Sequence, residues 1–190
     1  MIIILCAPSG SGKSTMVRHL LETYPGKYEL SISATTRAPR GQEQHGREYY
    51  FIDEDDLAEF DRDGRIIELR AYNTVHGIWK YLTVDDGQIN LETDNRYLII
   101  ATLEAYEKYL AYYGKDIVVP IYIEVDDRTR IHRALAREDE ELNPKYAEMC
   151  RRFLADEEDF SEAGTVIRLF PDAILCMDTA LRYYKYSDRT

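Results

Sequence analysis

Residues 2–15 read Ile2-Ile3-Ile4-Leu5-Cys6-Ala7-Pro8-Ser9-Gly10-Ser11-Gly12-Lys13-Ser14-Thr15. Ile2 to Cys6 is a continuous β-favouring run, the pattern of a central parallel strand covered on both faces. Ala7 to Gly12 is turn-forming. Beyond it Met16, Val17, Leu20 and Leu21 recur at helical spacing until Tyr24-Pro25-Gly26 stops the helix. Strand, glycine loop and helix in this order are the setting of a Walker A loop, and residues 7–14 match its pattern with Ala7 at the first glycine position. Glycines let successive backbone N–H groups turn toward a phosphate. The helix that follows points its N-terminus at the same anion. Lys13 is expected to reach the β- and γ-phosphates as a point charge, and the Ser14 hydroxyl to ligate Mg²⁺. Pro8, Ser9, Gly10, Ser11, Gly12, Lys13, Ser14 and Thr15 are therefore the candidate binding residues for a nucleoside triphosphate.

The rest of the chain alternates in the same way. Strands are expected at Tyr28 to Ile32, Tyr49 to Ile52, Ile66 to Leu69, Ile78 to Val84, Tyr97 to Ala101, Ile121 to Val125 (with Pro120 at its start) and Ala173 to Met177. Ser33 to Gly46 reads as a loop. Asp53 is placed to cap a helix through Leu57 and Phe60 that ends near Gly64. A helix with Tyr106, Leu110 and Tyr113 on one face stops at Gly114. Asp126 or Asp127 caps a helix bearing Arg130, Arg133 and Arg137. Pro144 is expected at the first position of another helix, which carries Arg151, Arg152 and the acidic run Asp156 to Asp159. Thr179 to Tyr186 forms a closing helix. Strands alternating with helices predict an α/β fold around a mainly parallel central sheet flanked by helices.

Composition narrows the function. The chain has 190 residues, 45% hydrophobic, with 24 Lys+Arg against 35 Asp+Glu and a net charge of −11. That is enough apolar content and length for one packed domain. The acidity argues against nucleic acid or an anionic membrane as partner. The positive charge is concentrated: residues 1–50 hold six Lys or Arg against four Asp or Glu. Cys6, Cys150 and Cys176 are far apart and odd in number, as expected of reduced, mostly buried thiols in a cytoplasmic protein. The histidines, at 19, 45, 76 and 132, are scattered. No run reaches membrane length without charges.

A second constellation follows the first helix. Ser31-Ile32-Ser33-Ala34-Thr35-Thr36-Arg37-Ala38-Pro39-Arg40 leads into Gly41-Gln42-Glu43-Gln44-His45-Gly46-Arg47-Glu48-Tyr49-Tyr50-Phe51, then Ile66-Ile67-Glu68. Arg37 and Arg40 put two guanidinium forks on one loop, suited to a phosphate monoester. Tyr49 adds a hydroxyl. Glu68 offers two acceptor oxygens that would pair with the neighbouring N1–H and N2–H₂ donors of guanine, and Ser33 a donor for O6. Adenine lacks that donor pair and would leave a buried Glu68 unpaired, which gives strong discrimination.

With the Walker A loop, this order and spacing resembles the guanylate kinase family, closely over residues 1–69 and in layout to the end. The resemblance implies a P-loop kinase fold in a single domain. Its core would be 1–32, 96–125 and 165–190, its inserted acceptor-binding subdomain 33–95 and its helical lid 126–164. It implies Mg·ATP as donor and GMP or dGMP as acceptor, with no stated oligomeric state. Tyr81 and Thr83 fit the family's tyrosine and following Ser/Thr, given a longer loop from Tyr72 to Lys80; a plain strand is the alternative. Thr102-Leu103-Glu104 stands where the family has Asp-x-Asp, and period-2 geometry would put Thr102 and Glu104 on one side. Glu104 is either an acceptor-binding carboxylate or a helix-start acid. Lid arginines closing on the triphosphate would be Arg133, Arg137 and Arg151, with Arg152 a rival by one register. Met177 replaces an Asn near the adenosine. The catalytic set is then Lys13, Arg37, Arg40, Arg133, Arg137 and Arg151. Two rivals share the pattern: a same-fold kinase acting on a phosphorylated ribose, and a non-catalytic binding module.

Overall fold

The computed structural model describes residues 1–74 and 77–160. The expected strand Ala173–Met177, the closing helix Thr179–Tyr186, Cys176, the Met177-Asp178 position and the core segment 165–190 lie outside the described residues.

Four strands form a wholly parallel sheet: β1 (Ile2–Cys6), β2 (Tyr28–Leu30), β7 (Arg96–Ala101) and β8 (Val118–Tyr122), in the order β2-β7-β1-β8. All five residues of β1 are buried. Alternation sends Ile2, Ile4 and Cys6 into one core with Tyr97, Ile99, Tyr106 and Tyr109. Ile3, Leu5 and Ala7 go to the other with Met16, Val17 and Leu98. Helix α1 (Lys13–Thr23) covers the second face. Helix α3 (Leu103–Tyr113), capped by the Thr102 hydroxyl and ended at Gly114 with φ +86°, covers the first.

A second, mixed sheet is built from β3 (Ala34–Thr35), β4 (Tyr50–Phe51), β5 (Ile66–Thr74) and β6 (Gly77–Val84), in the order β4-β3-β6-β5. Helix α2 (Glu54–Arg62) packs Leu57 against it and starts on a full capping box at Asp53. Helices α4 (Asp127–Asp139, capped by Asp126) and α5 (Tyr146–Asp159) follow β8.

Four expectations are corrected. Two residues of the loop from Ser33 to Gly46 form β3, bonded on both sides. The expected loop from Tyr72 to Lys80 is instead the outer part of a β5–β6 hairpin, where Tyr72 pairs with Trp79 and Thr74 with Gly77. The strand expected over Ile121 to Val125 runs instead from Val118 to Tyr122, so Pro120 is inside β8 rather than at its start. Among the described residues β8 is bonded on one side only, by β1, which leaves an edge for a residue without N–H. Helix α5 begins at Tyr146, with Lys145 as cap, so Pro144 precedes it and is not its first residue.

Candidate active site

The carboxyl ends of β1 and β7 lie side by side, Cys6 against Ala101, and the chain leaves each at a loop. Crevices outside the carboxyl ends of parallel strands are where open α/β sheets bind ligands. Here Ala7, Ser9 and Lys13 form one end of a recess. Arg40, Tyr49, Arg70, Tyr72, Trp79 and Tyr81 form the other, with Thr102 between. Arg151, Arg152, Asp156 and Asp159 of α5 close over it.

The glycine loop takes the shape its sequence predicts. Gly10 and Gly12 have φ +81° and +91°, and Gly12 caps α1. The Ser11 hydroxyl, fully buried, donates to the Pro8 carbonyl at 2.6 Å. Ser14 and Thr15 are exposed at the start of α1. The Lys13 ammonium is folded onto the loop's own carbonyls, Ala7 and Pro8 (3.0 Å to Pro8), rather than extended. Burial lowers its pKa to about 8, against a raising field from Asp156. Cys6, beneath the loop, has its thiol pushed by burial up to about 12, so it stays protonated and inert. Cys150, by contrast, is exposed, against the expectation of buried thiols.

Helices α4 and α5 meet the glycine loop directly. Asp156 of α5 accepts from the Ser9 N–H at 2.7 Å. Arg130, buried, donates to the Ser9 carbonyl at 3.2 Å, to Asp127, and across to Glu157 of α5 at 3.1 Å, with Phe153 under its guanidinium. It was visible in the sequence as one of four arginines on α4, yet only Arg133 and Arg137 matched the family spacing. Arg133 reaches the Gly10 carbonyl at 3.4 Å. Arg137 is exposed, its charge felt at Lys13. Arg151 and Arg152 both line the recess, so the choice between registers does not arise. Arg151 is held by Glu148 through two bonds of 2.8 Å.

At the other end of the recess Arg37 and Arg40 separate. Arg37 is buried, and its fork is bidentate on Glu43 at 2.6 and 2.9 Å. Its Nε donates to the Tyr81 hydroxyl at 3.0 Å. Burial works against its charge, and Glu43 more than restores it, so its pKa is raised. A fork held in this way is not open to a phosphate, contrary to the expectation for Arg37. Arg40 lines the recess with its guanidinium 4.8 Å from the Trp79 ring, and burial followed by the Arg37 charge lowers its pKa. Tyr49 packs edge-on to Tyr81, on the recess wall, its pKa raised by burial. Ser33 is half-buried beside β3, its carbonyl bonded to the Tyr50 N–H.

Glu68 is buried and faces inward beside Thr83, as the resemblance implies, but it is not an open pair of acceptors. Arg70 donates Nε to one oxygen at 3.0 Å and Nη2 to the other at 3.3 Å. The Thr83 hydroxyl lies 3.3 Å from the second and accepts from Tyr109 at 2.8 Å. Arg70 also donates to the Thr102 hydroxyl at 3.1 Å. The expectation that adenine would leave Glu68 unpaired is therefore corrected. Period-2 geometry fails at Thr102 because the strand ends at Ala101 and a helix starts at Leu103. Glu104 is exposed in that first turn and does not line the recess. Arg70 was missed, although Glu68-x-Arg70 alternation on a strand was a usable signal.

Comparison with known proteins follows the same lines. The guanylate kinase family model matches residues 1–78. Over these residues the chain is similar to the guanylate kinase family. It is 37% identical over 123 residues to a guanylate kinase of Porphyromonas gingivalis, covering 64% of this chain and 63% of that one. Against one from Ruegeria pomeroyi it is 53% identical over 68 residues, 36% of this chain and 32% of the relative. The chain thus spans between about a third and somewhat under two thirds of these relatives. The crystal structure of guanylate kinase from Anaplasma phagocytophilum superposes with TM-score 0.57 at 23% identity, over 87% of this chain and 72% of that one, which supports the fold. Among the described residues no helix is long and apolar enough to cross a membrane.

Proposed function

We propose that the chain is a cytoplasmic nucleoside monophosphate kinase of guanylate kinase type. It would transfer the γ-phosphoryl of Mg·ATP to an α-phosphate oxygen of GMP or dGMP. The bond from Pγ to the β-bridging oxygen breaks, the bond from the acceptor oxygen to Pγ forms, and ADP leaves with GDP or dGDP. No general base is needed, because the acceptor phosphate is already an anion. Catalysis rests on positioning and charge neutralisation. The observation that carries this reading is one continuous recess with a Walker A loop at one end and Arg40, Tyr49 and Tyr81 at the other, beneath Arg151 and Arg152.

The roles divide by segment: core 1–32 with 96–125, acceptor subdomain 33–95, lid 126–164. Lys13, Arg133 and Arg137 serve the triphosphate. Arg40 and Tyr49 hold the acceptor phosphate, and Arg37 works by fixing Tyr81 and, through Glu43, the Arg40 amide at 2.8 Å. The residues present fit Mg²⁺. Ser14 offers an exposed hydroxyl at the helix start, and no cluster of three acidic, His or Cys ligands forms among the described residues. One protein oxygen plus phosphate oxygens and water is the usual arrangement for this ion. Bound there, it would neutralise charge on the transferring group. The test is a panel of monophosphates with Mg·ATP, reading ADP release. GDP formation is expected; turnover of a phosphorylated ribose alone would replace the acceptor, and no turnover of any acceptor would leave a binding module. Thr102, which stands where the resembling family has a carboxylate, is the observation on the side of the different acceptor.

A further inference from the structure

Arg70 has no role in the function proposed above, yet it occupies the base end of the acceptor recess. A register shift between Ile66 and Glu68 turns both Ile67 and Glu68 inward, and from there the alternation places Glu68 and Arg70 on the recess face. Glu68, 4% exposed, has both oxygens taken by Arg70 and a further contact from Thr83. A buried carboxylate rejects the wrong ring by being left without a partner when that ring binds. Glu68 has its partner within the protein, so a ring lacking the 2-amino group leaves nothing unpaired. What faces the recess is the guanidinium. Of its five N–H groups, Glu68 takes two and Thr102 one, and Tyr72 on the same recess wall is hydrogen-bonded to the guanidinium as well, which leaves one for a ligand. A cationic donor matches a ring carbonyl, as arginine matches O6 of guanine, and opposes a ring amino group.

We infer that Arg70 reads the acceptor ring through its carbonyl, so that the site takes 6-oxopurine monophosphates as a class, GMP and IMP alike, and refuses AMP. This rests on the monophosphate kinase reading. Trp79 is the only tryptophan of the chain and lines the same recess, so its fluorescence reports acceptor binding without turnover. The full chain is titrated with GMP, IMP and AMP, and assayed with each plus Mg·ATP. Affinities for GMP and IMP within about tenfold of each other, with AMP more than about tenfold weaker than both, are expected. A GMP preference over IMP above that limit, or AMP binding as well as GMP, overturns the inference and leaves the kinase reading standing. No fluorescence response and no turnover with any monophosphate overturns both. Arg70→Met releases Glu68 to pair with N1–H and N2–H₂, and the GMP-to-IMP ratio should rise by about tenfold; an unchanged ratio in a folded variant overturns the inference. Should Arg70→Met not fold, Arg70→Lys keeps a charge against Glu68 but loses the fork, and the same ratio is read.

Discussion

Gly10 packs against the backbone of helix α4. A Cβ added there would lie 2.8 Å from the Arg130 carbonyl oxygen, a backbone atom, at φ +81°. Gly10→Ala should destabilise the protein by about 1–3 kcal/mol, read by urea unfolding, and weaken ATP binding in the same variant. Lys13 supplies a pH dependence. With its pKa near 8, the ammonium is charged below that pH and loses its proton above it. ATP affinity should therefore fall as pH rises through about 8. Asp156 raises the Lys13 value, so Asp156→Asn should move the midpoint to lower pH in calorimetric titrations. The linked stability has the opposite sign. Between about 8 and the usual 10.5 the unfolded chain binds the extra proton, so stability rises with pH across that window. At this scale, Lys13 and Arg40 were legible because a motif fixes both residue type and place. Glu43 and Arg70 were not, because a residue type does not say which neighbour will occupy it.

Elements whose signals are local were read well. The strand, loop and helix of residues 2–23 and the helix cap at Asp53 depend on a few adjacent residues, and the structure has both. Elements whose bounds depend on partners were not. The β5–β6 hairpin extends past Lys80 because Tyr72 and Thr74 keep facing inward opposite Trp79 and Gly77, and that pairing is settled by tertiary packing. Pro120 was placed at the start of its strand because only the strand order tells whether an edge is open. Thr102 works twice, as the N-cap of α3 through the Ala105 N–H at 3.3 Å and as an acceptor for Arg70. Thr102→Ala should cost about 1–2 kcal/mol in denaturant unfolding, while Thr102→Ser should restore most of it. Arg130 joins α4 to both the glycine loop and α5, so Arg130→Met should speed proteolytic cleavage between the two helices at Glu140 to Lys145 and leave α2 and β3–β6 protected.

At the scale of the whole molecule, an acidic body carries a recess whose wall gathers Lys13, Arg40, Arg70, Arg151 and Arg152. A charge of −11 excludes long polyanions without excluding small ones. Since both ends of the recess meet the same lid helix, a non-hydrolysable ATP analogue and GMP together should raise the melting temperature more than either alone. Each ligand at about a hundred times its Kd adds about 2.7 kcal/mol if it binds only the folded chain. The parallel sheet has a further consequence, for the order of folding. Ile2 meets Tyr97 and Val118, far along the chain, whereas β5 and β6 pair residues as close in sequence as Thr74 and Gly77 and sit wholly within the segment between β2 and β7. Loop closure makes distant pairings slow. The hairpin bearing Glu68, Arg70 and Tyr81 can thus pair early, and the glycine loop acquires its neighbour Thr102 only when β1 and β7 finally zip together.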